Sequence, residues 1–399
     1  MNFFSTRDPA QRRLWLLAAV LFVSYLCVGM ALPVVPVHVT RQLGLGNAWA
    51  GLAVGIAFLS TVASRGLAGG LSDCRGAKVA VQRGLLLYVA GASMSAVAGL
   101  AGLAAWQAFA TLVAGRLLLG LGESFVAVGV ISWGIVLVGP ARSGQVLALV
   151  GAAIYGAIAV GGPLGLALFD RVGFAGAMAV GASLPLLGLL AIRRVDGVAV
   201  QPGATRPSIW RVVGRVGPHG AVVCLQGIGF AAIGAFFALH FLQQHWRFAG
   251  LGLSAFGGGF VLVRLLCGQL PDRLGGLRVA IVSLAVETVG QLLIWGASGP
   301  TVALAGALLT GLGCSMIFPA MGREVVGRVE ASLRGTALGA FAAFQDVAYG
   351  LTGPLAGLVA DGAGVRNVYL VGAAASVAGL AVALKLRGDA ARRSVGAAA

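Results

Sequence analysis

Charge is what this 399-residue chain has least of. Only 10% of its residues are Asp, Glu, Lys or Arg, and just 12 are acidic. A soluble globular chain carries roughly 25% charged residues, which a chain of this size needs to cover its surface. With 59% hydrophobic residues and a mean hydropathy of +0.95, the solvent for most of the chain is lipid. Histidine is scarce, with four in all. The five cysteines are Cys27, Cys74, Cys224, Cys267 and Cys314, and none forms a CxxC pair. An odd number of scattered thiols, four of them in apolar runs, argues against a disulfide framework or a metal site. No HExxH pair, Walker loop or serine-triad signature occurs. Neither an enzyme nor a bound cofactor or metal is expected.

What the chain has instead is long apolar runs. About 20 apolar residues cross a bilayer as a helix. Twelve such segments are predicted, at 14–37, 48–70, 79–100, 106–136, 143–168, 174–192, 219–242, 250–271, 278–297, 300–320, 335–360 and 367–386. The first follows Arg7, Arg12 and Arg13 and has no small-residue cleavage site, so it reads as an uncleaved helix rather than a leader. The longest polar break, 193–218, holds five arginines and reads as a flexible cytoplasmic linker. It separates an N-terminal six-helix bundle, 1–192, from a C-terminal one, 219–399, that ends in a short basic tail.

The net charge of +16 does not call for nucleic acid. With the N-terminus in the cytoplasm, 21 of the 28 lysines and arginines fall on the inner side. Four lie outside (Arg41, Arg171, Arg247, Arg366) and three lie within spans (Arg65, Arg116, Arg264). That asymmetry is the positive-inside bias, and it puts both termini in the cytoplasm.

The two halves repeat each other. At an offset of 199, Ala50–Gly69 aligns with Ala249–Gly268 without a gap and with seven of 20 positions identical, Arg65 with Arg264 among them. The match continues through Gly69 with Gly268, Asp73 with Asp272 and Gly76 with Gly275. At an offset of 191, the "GLG" at 120–122 matches 311–313, and Gly162–Pro163 matches Gly353–Pro354. Parallel six-helix repeats point to a transporter that works around a midplane site.

At these residues the chain resembles the major facilitator superfamily, over nearly its whole length. The loop after the second span follows that family's Gly-x-x-x-Asp-Arg-x-Gly-x-Arg/Lys pattern through Gly69, Asp73, Gly76 and Lys78, with Cys74 where Arg is usual. The second copy, Gly268, Asp272, Arg273 and Gly275, keeps the arginine. The fourth-span pattern Arg-x-x-x-Gly-x-Gly is matched by Arg116, Gly120 and Gly122. A fifth-span pattern of the drug:proton antiporter branches is matched in part by Gly156, Gly162, Pro163 and Gly165, without its final glycine pair. "LPVVP", "GLGES" and "GLTGPLAG" look like arabinose-efflux-permease-like members. The resemblance implies an all-α fold of 12 transmembrane helices, and an Asp73 that latches the inner side when the outside is open. On the residues alone, the motif's glycines permit a tight turn, and Asp73 is placed to cap the start of a neighbouring helix.

An ionisable side chain at the bilayer centre costs about 2.5–3.5 kcal/mol on insertion scales, so each needs a partner or a function. Arg116, Gly120 and Glu123 share one face of a helix. There a carboxylate and a guanidinium can trade a proton against a cationic substrate, in a cavity opened by the glycines; the alternative is a structural ion pair. Asp346, with Gln345 and Tyr349, offers a polar face in span 11, again for function or pairing. Arg264 and Glu287 lie at similar depth, roughly 12 and 13 Å above the inner interface at 1.5 Å per residue, which predicts a structural ion pair. Arg65 has Tyr88 at the equivalent place and is left for a substrate anion or the loop. His38 and His240, near the outer ends of spans 1 and 7, are expected to be solvated. Phe22, Tyr25, Trp133, Tyr155, Phe236 and Phe344 are candidates to line an apolar cavity.

The expected protein is a multi-pass protein of a bacterial-type inner membrane. It exports a small drug-like compound or sugar by alternating access, with proton antiport, and works as a monomer. Its partners are the small-molecule substrate, protons and lipid. A proton symporter importing a sugar or organic acid is the second reading, and a membrane sensor or scaffold that transports nothing is the third. Because Cys74 replaces the usual arginine, Arg75 is expected to stand in for it. Arg75→Ala should then shift the balance between outward- and inward-open states more than Cys74→Ala, read as distances between spin labels on the outer ends of the two halves. The reverse order would make Cys74 the interface residue.

Overall fold

The computed structural model describes residues 8–139, 142–193, 195–197, 210–330 and 333–396, and every regular element among them is helical. The chain divides into two units, Met1–Ala204 and Thr205–Ala399. The first contains α1 (Pro9–Val37), α2 (Asn47–Arg75), α3 (Ala77–Val97), α4 (Ala105–Val138) and a 51-residue helix, Ser143–Arg193. That long helix is broken at Gly173 (φ 71°, ψ −177°) into α5 (143–172) and α6 (174–193). The second unit contains α7 (Trp210–Gln243), α8 (Leu251–Cys267), α9 (Gly276–Trp295), α10 (Pro300–Val326), α11 (Arg334–Ala363) and α12 (Asn367–Gly396). Twelve spans result, six in each unit.

Local chemistry sets the helix ends. Asp8 accepts the Ala10 amide at 2.9 Å and Pro9 follows at the first helical position, so α1 starts five residues earlier than hydropathy predicts. After Pro33 and Pro36, which lack the amide a helix needs, α1 loosens into a wider turn at His38–Gln42. The expected eighth span, 250–271, is interrupted. α8 stops at Cys267 and a five-residue helix, Leu270–Leu274, follows, because Pro271 fits only in a first helical turn. The expected linker is also shorter than 193–218. α7 already runs from Trp210 and carries Pro218 inside it, while residues 198–209 lie outside the described residues.

The outer faces are apolar. Leu265 and Leu266 are 71% and 74% exposed and Leu67 is 67% exposed, an arrangement stable only against lipid tails. Among the described residues, eight helices are long and apolar enough to cross a bilayer, the 51-residue helix among them, and α8 is apolar but shorter.

The packing repeats as the sequence does. In the first unit α1 lies on the 143–193 helix, α2 on α4, and α3 on both α4 and the 143–193 helix. In the second, α7 lies on α11, α8 on α10, and α9 on α10 and α12. Small residues make these contacts possible without a hydrophobic force between helices in lipid. A methyl group at Gly120 would collide with the Ala57 carbonyl of α2, and one at Gly311 with the Phe256 carbonyl of α8. Both pairs are related by the offsets of the repeat. On α5 the residues that meet α1 closely are Gly161, against Gly29, and Gly165, against Met30. Gly156 meets only the Phe22 ring, at 3.5 Å. Gly162 and its counterpart Gly353 are buried, each followed by a helical proline, Pro163 or Pro354.

Gly120→Ala and Gly311→Ala should each destabilise the protein by about 1–3 kcal/mol through overpacking. Gly258→Ala, with nothing near its added methyl, should not. Thermal unfolding of the purified variants checks this, and equal melting temperatures for all three would refute it.

Candidate functional site

Among the described residues, each unit buries a polar cluster between its helices. In the first, Tyr25 and Cys27 of α1, Tyr88 of α3, and Arg116 and Glu123 of α4 share one electrostatic neighbourhood. Arg116 is 1% exposed and Glu123 8%. The Tyr25 hydroxyl donates to Glu123 Oε1 at 2.7 Å. Arg116 Nε donates to the Ala53 carbonyl of α2 at 3.1 Å, while its Nη1 and Nη2 and the Tyr88 hydroxyl have no hydrogen-bond partner. Two buried guanidinium nitrogens without acceptors are unusual, because an unsatisfied buried donor carries its full desolvation cost. Gly120, on the same helix, opens no cavity beside this pair. It is pressed against α2, and its carbonyl accepts the Thr61 hydroxyl at 3.0 Å. The glycines here are packing surfaces, contrary to expectation.

The second cluster was read from sequence as an ion pair between Arg264 and Glu287, and the structure does not form one. Glu287 is fully buried and, among the described residues, no cation faces its carboxylate. Its Oε1 abuts Gly229 of α7, where the missing side chain leaves room for it. Cys314 of α10 and Ser376 of α12 lie beside it. Gln226 of α7 and Gln291 of α9 complete the cluster, 1% and 0% exposed. Gln291 Nε2 donates to the Gly229 carbonyl at 3.3 Å and to Thr310 Oγ1 at 3.4 Å. Arg264 lies elsewhere, its guanidinium 5.1 Å from the Phe260 ring on its own helix.

The two clusters occupy the same place in the repeat. A methyl on Gly122 would meet the Gly84 carbonyl and Tyr88 amide at 2.8 and 3.0 Å, and one on Gly313 the Ser283 carbonyl and Glu287 amide at 2.6 and 2.7 Å. Tyr88 therefore corresponds to Glu287, and Glu123 to Cys314. The carboxylate sits on α4 in one unit and on α9 in the other. Glu287 as a possible functional group was missed, although its lack of charged neighbours in sequence was a signal.

The remaining candidates are placed as follows. Asp346 is 8% exposed on α11, where Gln345 donates to the Tyr349 hydroxyl at 2.6 Å. Arg65 is half-buried on α2. His38 and His240 are not solvated but 3% and 2% exposed. His38 stacks on Phe174 with ring centres 3.6 Å apart, and His240 packs edge-on against Trp246 and Tyr369. Of the cavity candidates, Trp133, Phe236 and Tyr25 are buried in helix packing, while Phe22, Tyr155 and Phe344 are half-buried.

At the inner turns, Gly76 (φ 93°) and Gly275 (φ 87°) adopt the same backbone conformation, which only glycine takes readily. Gly69 is buried and Gly268 exposed. Lys78 Nζ reaches the Arg193 carbonyl at 3.3 Å, a cation at the C-terminal end of α6. In the second copy Asp272 does not cap a helix start. It faces Arg323 Nε at 3.4 Å, near the end of α10, and Arg323 also donates to the Pro271 carbonyl at 2.8 Å. Arg273 instead donates to Gln269 at 2.9 Å.

The model of the Major Facilitator Superfamily matches residues 17–218 and again 219–398, once per unit. The chain belongs to that superfamily. As a member it is a multi-pass secondary transporter. An uncharacterised MFS-type transporter of Salmonella typhimurium is 42% identical over 377 residues, covering 94% of this chain and 97% of the relative. One of Burkholderia mallei is 41% identical over 380 residues, covering 95% and 93%. Among solved structures, the nucleoside transporter NupG superposes with a TM-score of 0.77 at 15% identity, over 93% of this chain and 99% of its own. The human organic anion transporter MFSD10 does so with 0.68 at 16%, over 94% and 100%. At such low identity these two superfamily members share the fold alone.

Tyr25→Phe withdraws a donor from the buried Glu123 carboxylate and is expected to destabilise this transporter by about 1–3 kcal/mol. An unchanged melting temperature would show that the carboxylate does not depend on that bond.

Proposed function

We propose that this superfamily member exports a small organic molecule, a drug-like compound or a sugar, in exchange for protons, as a monomer in a bacterial inner membrane. The observation that carries the reading is the contact between Tyr25 and Glu123, made beside the buried guanidinium of Arg116. A carboxylate held by a neutral donor and close to a fixed positive charge is a site where arrival of a proton changes local charge and bonding together. Protonation and substrate binding then favour different conformations, and each shifts the equilibrium by its difference in affinity for them. In this scheme Glu123 carries the proton, Arg116 tunes it, and Asp346 is the carrier candidate of the second unit. Arg65 stands at the substrate path, and the turns around Asp73 and Asp272 bias the inner gate.

A second reading is favoured by the two Arg116 nitrogens that lack acceptors. They suit an anionic substrate, such as an organic acid, taken up together with protons. That MFSD10 is an organic anion transporter shows that the fold accommodates such cargo.

Transport in proteoliposomes under an imposed pH gradient distinguishes the two. Substrate flux opposite to the proton flux supports export, and co-directional flux supports uptake. Glu123→Gln is expected to abolish uphill transport while leaving downhill exchange of substrate; unchanged coupling in that variant would remove Glu123 from the scheme.

A further inference from the structure

The cluster around Glu287 is distinctive for what surrounds the carboxylate. In the first unit the equivalent pocket is rich in donors, with two phenols and a guanidinium near Glu123. In the second it is rich in acceptors. Gln226 Oε1 and Gln291 Oε1 are buried without hydrogen-bond partners, and the Glu287 carboxylate has beside it a weak donor, the Cys314 thiol, and the Ser376 hydroxyl, which already donates to the Gly372 carbonyl. Acceptors gathered in a dry interior require a proton or a cation between them, since burying an unpaired charge is costly.

The directions of the oxygens choose between the two. Glu287 Oε1 abuts Gly229 of α7, whereas Gln291 Oε1 is pressed on Gly372 of α12. A metal ion needs several oxygens converging on one point, and Gln291 Oε1 points to a different helix from Glu287 Oε1. A proton needs one acceptor. Gln291 has committed its amide nitrogen to Gly229 and Thr310 and turned its oxygen away. Gln226 and Glu287 flank the same thiol, Cys314. That thiol is the titratable group facing the carboxyl, and the sides contributed by α7 and α12 are Gln226, Gly229 and Ser376.

We propose that Gln226, Glu287 and Gln291 form a proton-binding site inside the second unit, in which Glu287 takes up a proton and donates it as a hydrogen bond to the Gln226 amide oxygen. Glu287 lies 11 residues beyond Gly276 and eight before Trp295, the ends of α9, so ~12–17 Å of helix separates it from either end. A proton held there is exchanged only when the packing of α7, α9, α10 and α12 opens. The site is separate from Glu123, and its existence does not depend on what the protein carries.

Infrared difference spectroscopy of the purified full-length protein, titrated from mildly acidic to strongly alkaline buffer, tests this with the proton itself as probe. A carboxylic C=O stretch is expected that is lost at alkaline pH, is missing from Glu287→Gln and is the same in sodium and choline chloride. Gln226→Leu should move that band to higher wavenumber, which assigns it even if Glu287→Gln fails to fold. A Glu287 band that never titrates would make it a sealed structural acid and overturn the proposal. Absence of such a band, or one displaced by sodium, would overturn it in favour of an ionised carboxylate or a cation site. A band unmoved in Gln226→Leu would overturn the assigned acceptor. No flux is measured, so this test and the transport reading fail separately.

Discussion

Close approach of one helix backbone to another, made possible by glycine, is the constraint on which the rest of this structure depends. Lipid tails are as apolar as leucine, so helices in a bilayer gain little by hiding oily side chains from them. They gain by fitting together. Gly122 lies against the backbone at Gly84 and Tyr88, and Gly313 against that at Ser283 and Glu287. These contacts bring α3 onto α4 and α9 onto α10. They also fix which polar side chains share a pocket, because a residue one position from such a glycine has little freedom in where it points. Glu123 follows Gly122 and Cys314 follows Gly313. The polar clusters are thus consequences of packing that small residues dictate.

Much of this was legible before any coordinates. Apolar length marked twelve spans, and the offsets of 199 and 191 announced the repeat that the packing obeys. What eluded the sequence was azimuth. Arg264 and Glu287 lie at similar depth on consecutive helices, but depth says nothing about which side of a helix a residue occupies. α8 and α9 each lean on α10, so neighbours in the chain are not close partners in space. The same gap misled the reading of Gly120, whose face meets α2, and of the two histidines, which sit among aromatic rings. The early stop of α8 was readable from Pro271 and was passed over because hydropathy continues across it.

The two units keep one scaffold and invert its chemistry. At corresponding places one carries Tyr88 and Glu123, the other Glu287 and Cys314. The first pocket leaves hydrogen-bond donors unsatisfied, on Arg116 and Tyr88, and the second leaves acceptors so, on Gln226 and Gln291. Duplication supplied two copies of a dry polar pocket, and substitution of a few side chains made them electrically unlike. A single guanidinium, Arg116, accounts for most of that difference.

The outer turn at Gly173 has a mechanical meaning. α5 passes into α6 through one non-helical residue, and its counterpart, Gly364 (φ 91°), lies at the matching place after α11. Gly364 opens a three-residue turn before α12 begins at Asn367, whereas the joint at Gly173 is one residue long and has little slack. The two limbs it connects can slide little past each other along their axes, because axial displacement of one is transmitted to the other. What remains to such a pair is to tilt about the joint as a single lever. In the first unit the degrees of freedom that the Gly173 joint leaves to α5 and α6 are therefore chiefly angular.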